Sequence, residues 1–244
     1  MKSNAILVTG ATSGIGLELA RKLASEGYHV VITGRNKVKL DDVATRLGAN
    51  ITTLLCDNEN HHDVQAIGKE IQALNIKLDG VVFNAGVYFP NELGTTSLEE
   101  FELTLNTNFK APFFMLQSLL PVMNNPASVV MVSSLVVEKA FVNSSLYTSS
   151  KMALEGLVGV LNLELAERGI RINSVRPGVT ATDIQEKAGM SQEAFNGLKL
   201  AMKETPAGRI LTPKDIVPAI EFLLSESSIG LRGAAFDIDG GFSL

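Results

Sequence analysis

The chain has 244 residues, of which 45% are hydrophobic and 19% charged, the balance of an ordinary folded protein and not of a disordered one. A formal net charge of −5 argues against broad attraction to nucleic acid or to an anionic lipid surface. A single cysteine, Cys56, excludes an internal disulfide and a zinc cluster built on cysteines. The histidines supply no metal site, since His61 and His62 are adjacent, so that on a helix they point apart, and His29 stands alone.

In chain order, Met1 to Asn4 is too short for a signal peptide, and the apolar run Ala5-Ile6-Leu7-Val8 stops at Thr9-Gly10. Short β-rich runs are expected at 5–8, 28–33, 51–56, 78–84, 128–133, 171–175 and 235–238. They lack strict polar alternation, as strands covered on both faces do. Between them lie helical stripes such as Ile15, Leu19, Leu23 and Ala24, or Val64, Ile67, Ile71 and Leu74. Ser97-Leu98-Glu99-Glu100 fits a capping box, and Thr212-Pro213 supplies an N-cap with proline at the first helical position. The apolar stretch at 128–137 is broken by serines and falls short of the ~20 residues of a membrane span. A soluble, cytoplasmic protein is expected.

Strands separated by helices predict a Rossmann-like, doubly wound α/β fold: a seven-stranded parallel sheet with helices on both faces. No linker or repeat interrupts it, which predicts a single domain over 1–244. The stretch 182–207, with Gly189, Ser191, Gly197 and Pro206 around short amphipathic pieces, breaks the rhythm and is expected to be a mobile cover over a cleft.

The turn after the first strand carries Gly10, Thr12, Ser13, Gly14, Ile15 and Gly16. Gly10 suits the tight turn, Gly14 lets backbone amides approach a pyrophosphate, and Gly16 permits close helix–sheet packing. The helix that follows offers free N–H groups to phosphates. After the second strand, Thr33-Gly34-Arg35-Asn36 holds no carboxylate to grip a ribose 2′-OH, whereas Arg35 can take a 2′-phosphate, so NADP(H) is favoured over NAD(H). Asp57, after the third strand, can accept from an adenine amine or serve as a helix N-cap.

Tyr147-Thr148-Ser149-Ser150-Lys151 opens a helical segment, and Tyr147 and Lys151, four apart, share one face. An ammonium beside a phenol lowers its pKa from about 10, which suits a general acid/base near neutral pH.

The glycine turn, this pair, Ser133-Ser134 ending the fifth strand and Asn108 on the preceding helix resemble the short-chain dehydrogenase/reductase family in its single-domain form. The resemblance spans essentially the whole chain and includes Asn84-Ala85-Gly86, Pro177-Gly178 and Asp239-Gly240-Gly241. It implies a tetrad. Tyr147 is the proton donor to a carbonyl, Lys151 binds the nicotinamide ribose and depresses the tyrosine pKa, and Ser134 binds the substrate oxygen. Asn108, with Asn106 as the competing candidate, positions the lysine and a relay water. Ile15 then lies near the pyrophosphate and nicotinamide, Asn84, Ala85 and Gly86 beside the adenosine ribose, and Pro177, Gly178 and Thr180 around the nicotinamide, with Thr182 on its carboxamide.

The chain departs from the family pattern at Phe83, at Val137, which takes the place of a glycine and is followed by Glu138-Lys139, and at the neutral stretch Asn124-Asn125-Pro126-Ala127-Ser128. The last weakens a carrier-protein reductase, although Arg168 and Arg171 remain available. The expected cleft rim of Val87, Tyr88, Phe89, Leu135, Val136, Phe141, Val142, Ile184 and Met190 suits an apolar or aromatic carbonyl compound. The resemblance thus implies NADPH-dependent reduction of a ketone or aldehyde, reversible towards the alcohol. A non-catalytic NADP sensor and a 3-oxoacyl reductase are the alternatives. It also implies a homotetramer through the helices at 109–120 and 147–165, with the C-terminal segment contributing, consistent with the surplus of apolar residues at Phe113, Phe114, Met115 and Leu116.

Overall fold

Seven strands, β1 (Ala5–Val8), β2 (His29–Gly34), β3 (Ile51–Leu55), β4 (Leu78–Phe83), β5 (Met123–Val132), β6 (Ile170–Pro177) and β7 (Ala235–Ile238), form one parallel sheet in the order β3-β2-β1-β4-β5-β6-β7. The computed structural model describes residues 4–244. Met1 to Ser3, which belong to the stretch read for an address, lie outside the described residues.

The strands are continuous apolar runs because both faces are covered. In β1 and β4 successive side chains point to opposite faces, so Ile6, Val8 and Val82 enter one core layer and Leu7, Val81 and Phe83 the other. The first layer is closed by α1 (Gly14–Ser25), α2 (Lys37–Leu47) and a late helix packing Ile216 and Ile220. The second is closed by α3 (His61–Ala73), and by later helices contributing Met115 and Leu154. The remaining helices are α4 (Leu98–Leu105), α5 (Ala111–Leu119), α6 (Ser145–Glu164), α7 (Asp183–Lys187), α8 (Gln192–Ala201) and α9 (Pro213–Leu224). The expected capping box forms: Ser97 Oγ accepts from the Glu100 N–H at 3.1 Å, and the Glu100 carboxylate accepts from the Ser97 N–H at 3.1 Å. At α9, with Pro213 in its first turn, the Thr212 N–H and hydroxyl both donate to Asp215.

Several sequence expectations are corrected. β5 begins at Met123, well ahead of the predicted start, because Met123 pairs with Leu78 before a register shift brings Ser128 opposite Gly80. The polar Asn124 there is no loop residue, since its amide donates to Asp79 at 2.8 Å. Neither arginine considered for a carrier protein is free. Arg171 is buried and donates to the carbonyls of Ser228, Ser225 and Leu223, tying down the end of α9, and Arg168 donates to Leu120 O at 2.6 Å. Of the four residues in the expected interface run, Met115 and Leu116 belong to the core and only Phe113 is well exposed. The stretch 182–207 folds largely as α7, α8 and a 3-10 turn at Met202–Glu204. Among the described residues, no helix is long and apolar enough to cross a membrane.

Candidate active site

The strand order reverses between β1 and β4, and a cleft of about 740 Å³ opens along the carboxyl ends of the strands there, the position where open α/β sheets bind ligands. Its floor at one end is the glycine turn. Gly10 has φ +64°, and a Cβ there would stand 2.8 Å from the Ala85 Cα. Backbone cannot yield to it, so only glycine fits. The side chain of Ser13, the N-cap of α1, makes no capping hydrogen bond, which leaves the first N–H groups of α1 without a side-chain partner. Thr12, Ser13, Gly14 and Ile15 line the cleft. Gly16 does not: it sits behind the turn, where a Cβ would meet Asn84 Nδ2 at 2.4 Å and Gly10 O at 2.8 Å. Its part is packing and not contact with a ligand.

Asn84 braces this turn, donating from Nδ2 to Thr9 O at 2.9 Å and Gly10 O at 3.2 Å, while the Thr9 hydroxyl accepts from the N–H groups of Asn84 and Ala85 at 3.0 Å. Thr9 was not among the expected site residues. A lone threonine at a strand end carries no sequence signal for such a cross-strand role.

The far end of the cleft is polar. Asn36 caps α2 by accepting from the Lys39 N–H at 3.0 Å, leaving Arg35 outside the helix in the cleft wall, with Lys39 one turn on. Lys39 was also missed, though its spacing from Arg35 could have shown it. Asp57 lines the wall, but the N-cap of α3 is Asn60, which accepts from the His62 N–H; Asp57 accepts from Glu59 N instead.

At the centre, Ser134 stands two residues past the end of β5, and Tyr147 and Lys151 occupy the first turns of α6. All three line the cleft. Lys151 is buried, donates from Nζ to Val132 O at 2.9 Å and stands 5.8 Å from the centre of the Tyr147 ring. Burial pushes the Tyr147 phenol up to about 12, against the pull of its hydrogen bond with Ser134. Burial also brings the Lys151 ammonium down to about 8, with Glu155 opposing. In the chain alone the phenol thus stands above its ordinary value, because desolvation of a phenolate outweighs the lowering by Ser134.

Asn108 lies one layer behind the cleft, in a π-turn (Asn106–Lys110) between α4 and α5. Its amide donates to Val87 O at 2.9 Å and Ser150 Oγ at 3.0 Å and accepts from the Val87 N–H at 2.8 Å, so it clamps the segment after β4 to α6. Gly86 keeps the space in front of it open, since a Cβ there would be 3.3 Å from Asn108 Oδ1 and 3.4 Å from Lys151 Nζ. Among the described residues, no side-chain hydrogen bond joins Asn106 to α6, whereas Asn108 makes one to Ser150.

Pro177, Gly178, Thr180 and Thr182 form the opposite wall. Thr182 caps α7, from which Lys187 reaches back to Ser13 Oγ at 3.3 Å. Of the expected apolar rim, all but Phe89 line the cleft, and Val179, Leu198 and Phe242 join them. Leu198 comes from the stretch expected to cover the cleft, whereas Phe242 comes from a part of the chain remote in sequence, which no local pattern could assign.

The residues fit a nicotinamide dinucleotide on two observations. The turn offers backbone N–H groups with no room for side chains. The Ser133 hydroxyl, buried in the cleft wall, has no hydrogen-bond partner within the protein, as expected of a group meant for a ligand. Among the described residues, no group of three or more His, Cys, Asp or Glu could hold a metal ion.

A family model described as "Enoyl-(Acyl carrier protein) reductase" matches residues 10–243. Human dehydrogenase/reductase SDR family member 4 is 32% identical over 242 residues, covering 96% of this chain and 86% of its own. The 3-oxoacyl-(acyl-carrier-protein) reductase FabG of Rickettsia bellii is 30% identical over 237 residues, covering 96% and 95%. The crystal structure of a blue fluorescent protein from a metagenomic library in complex with NADPH superposes with a TM-score of 0.89 at 26% identity, covering 99% and 98%. The chain belongs to the short-chain dehydrogenase/reductase family. It is an NAD(P)(H)-dependent oxidoreductase that acts on CH–OH or C=O groups of small molecules.

Proposed function

We propose that this enzyme reduces an apolar ketone or aldehyde with NADPH, and reversibly oxidises the corresponding alcohol. The observation that carries the reading is the meeting of Ser134, Tyr147 and Lys151 in one cleft whose far end presents Arg35 and Lys39 and no carboxylate at the end of β2. When bound, the reduced nicotinamide supplies the hydride. Tyr147 donates its proton to the carbonyl oxygen, and a phenol near 12 holds that proton throughout the neutral range. The Ser134 hydroxyl donates to the same oxygen as charge develops on it. Lys151 holds the nicotinamide ribose and, when protonated, supplies the positive field that eases loss of the Tyr147 proton. Asn108 positions the Val87 segment and α6, and with them Lys151. Arg35 takes the 2′-phosphate, with Asp57 at the adenine, Asn84, Ala85 and Gly86 at the adenosine ribose, and Pro177, Gly178, Thr180 and Thr182 at the nicotinamide.

The same reading has the chain act as a single cytoplasmic domain, with 182–207 as a mobile cover. Its assembly is a homotetramer, supported by the exposed Phe113, Met152, Val160 and Leu163 on the helices in question. Reduction of a carrier-bound 3-oxoacyl group is the second reading. The Rickettsia relative favours it, while the engagement of Arg168 and Arg171 within the fold speaks against it.

Steady-state NADPH oxidation over a panel of ketones, aldehydes and a 3-oxoacyl thioester tests both. Turnover of free apolar carbonyls supports the first reading, thioester turnover alone the second. Silence across the panel with tight NADPH binding points to a non-catalytic sensor.

A further inference from the structure

Three segments meet at one ring. Phe242, in the segment after β7, lines the cleft at its apolar end. Its ring packs against Phe141 at 5.8 Å between centres with 27° between planes. Lys139 Nζ stands 4.4 Å from the Phe242 ring centre and donates to the Phe242 carbonyl at 2.7 Å. One ammonium thus holds both the side chain and the backbone of this residue.

The backbone around Phe242 is equally constrained. The Asp239 carboxylate accepts from the N–H groups of Gly241 at 2.8 Å and Ser243 at 2.7 Å, closing a hook. Gly240 and Gly241 have φ +68° and +81°, and a Cβ on either would lie 2.6–2.7 Å from Pro206 or Ala207, at the end of the 182–207 stretch. Ala207 N also donates to Gly240 O at 2.9 Å. Lys139 is itself anchored: its N–H and that of Glu138 donate to Leu135 O, and the Glu138 carboxylate pairs with Arg176 of β6. Glu138-Lys139 follows Val137, where the chain departs from the family pattern, and the fold spends both charges on fixing this loop.

A ring held on this many sides cannot swing away from a ligand as a free phenylalanine can. Much of the cleft's volume is needed by a dinucleotide, so the space bounded by Phe242, Phe141, Leu135, Val136, Met190 and Leu198 is what remains for the substrate's apolar group. We propose that Phe242 is a specificity-determining residue and Lys139 the residue that positions it. Together they admit carbonyl compounds with a short chain or a single ring and disfavour those with fused rings. This rests on the carbonyl-reductase reading and names its substrate class more narrowly.

The test is kcat/KM with NADPH for butanone, acetophenone and 2-acetylnaphthalene, alongside an NADPH fluorescence titration that reports a folded cofactor site. In the parent, 2-acetylnaphthalene is the poorest of the three. Phe242→Ala raises the ratio of 2-acetylnaphthalene to butanone by about tenfold, the scale of a pocket-size change. Lys139→Met moves the ratio the same way by less, and Lys139→Arg returns it towards the parent. A role in stability alone would lower all three substrates together. An unchanged ratio in Phe242→Ala, with a parent that turns over, overturns this assignment and leaves the reductase reading standing. A parent silent on every carbonyl overturns both. Should Phe242→Ala fail to bind NADPH, Phe242→Leu, which keeps apolar volume but not the flat ring, is read in its place by the same criterion.

Discussion

The ammonium of Lys151 donates to the main-chain oxygen of Val132, the last residue of the strand that delivers Ser134. One hydrogen bond of 2.9 Å thereby joins the start of α6 to the end of β5. Ser134 and Tyr147, thirteen positions apart, are held against each other by the end of β5 and the start of α6, which follow one another along the chain. The same bond keeps the buried ammonium partly satisfied, as a charge at that depth requires.

Removing the proton donor should stop the chemistry and spare the binding. Tyr147→Phe keeps the ring that lies tilted against Tyr88, 4.9 Å between centres, but loses the hydroxyl. Carbonyl reduction should fall by about 10²–10⁴, while NADPH affinity by fluorescence titration stays near the parent value. Full activity in this variant would remove Tyr147 from its role.

The pH profile should carry the signature of Lys151. Its ammonium, brought down to about 8 by burial, is charged below that pH and neutral above it. Tyr147, pushed up to about 12, remains protonated across the accessible range. kcat/KM for NADPH, which reports groups of the free enzyme, should therefore decline as pH rises through about 8. In Lys151→Met this limb should vanish along with most of the rate. A profile flat to pH 10 in the parent would contradict the assignment.

The cofactor preference rests on the end of β2. Arg35→Ala should weaken NADPH binding by about 10–100-fold, the loss of one charge-assisted phosphate contact, and change NADH binding little. Added salt should weaken NADPH binding to the parent more than to the variant. Equal losses for the two cofactors would assign Arg35 to adenine stacking and not to phosphate.

Helix packing offers a test of the fold without touching the cleft. Gly68 of α3 lies so close to α5 that a Cβ would stand 2.0 Å from the Ser118 carbonyl oxygen. Gly68→Ala gains helix propensity, yet must push two helices apart. The cost of overpacking, about 1–3 kcal/mol, exceeds the propensity gain of about 1 kcal/mol. Thermal unfolding should show a lower Tm, and a higher one would mean that the helices separate freely.

The sheet, its parallel sense and the glycine turn were legible in the sequence because each rests on local chemistry: apolar runs between helical stripes, and glycines where side chains cannot fit. The Tyr147–Lys151 pair was legible for a similar reason, since helix periodicity puts both on one face, whereas Ser134 was named through the family resemblance. Tertiary structure alone decided what depends on the company a residue keeps. Arg171 was read as available to a carrier protein and proved to be a buried tie for α9, and the neutral stretch from Asn124, read as lying ahead of the fifth strand, proved to be part of it. The sequence put an ammonium next to a phenol, but only burial determined which way the phenol moved. Phe242 and Lys139, 103 positions apart, share no pattern that a sequence displays. Their contact exists because the sheet brings the end of β7 beside the loop after β5, and long-range packing of this kind is written in no single segment.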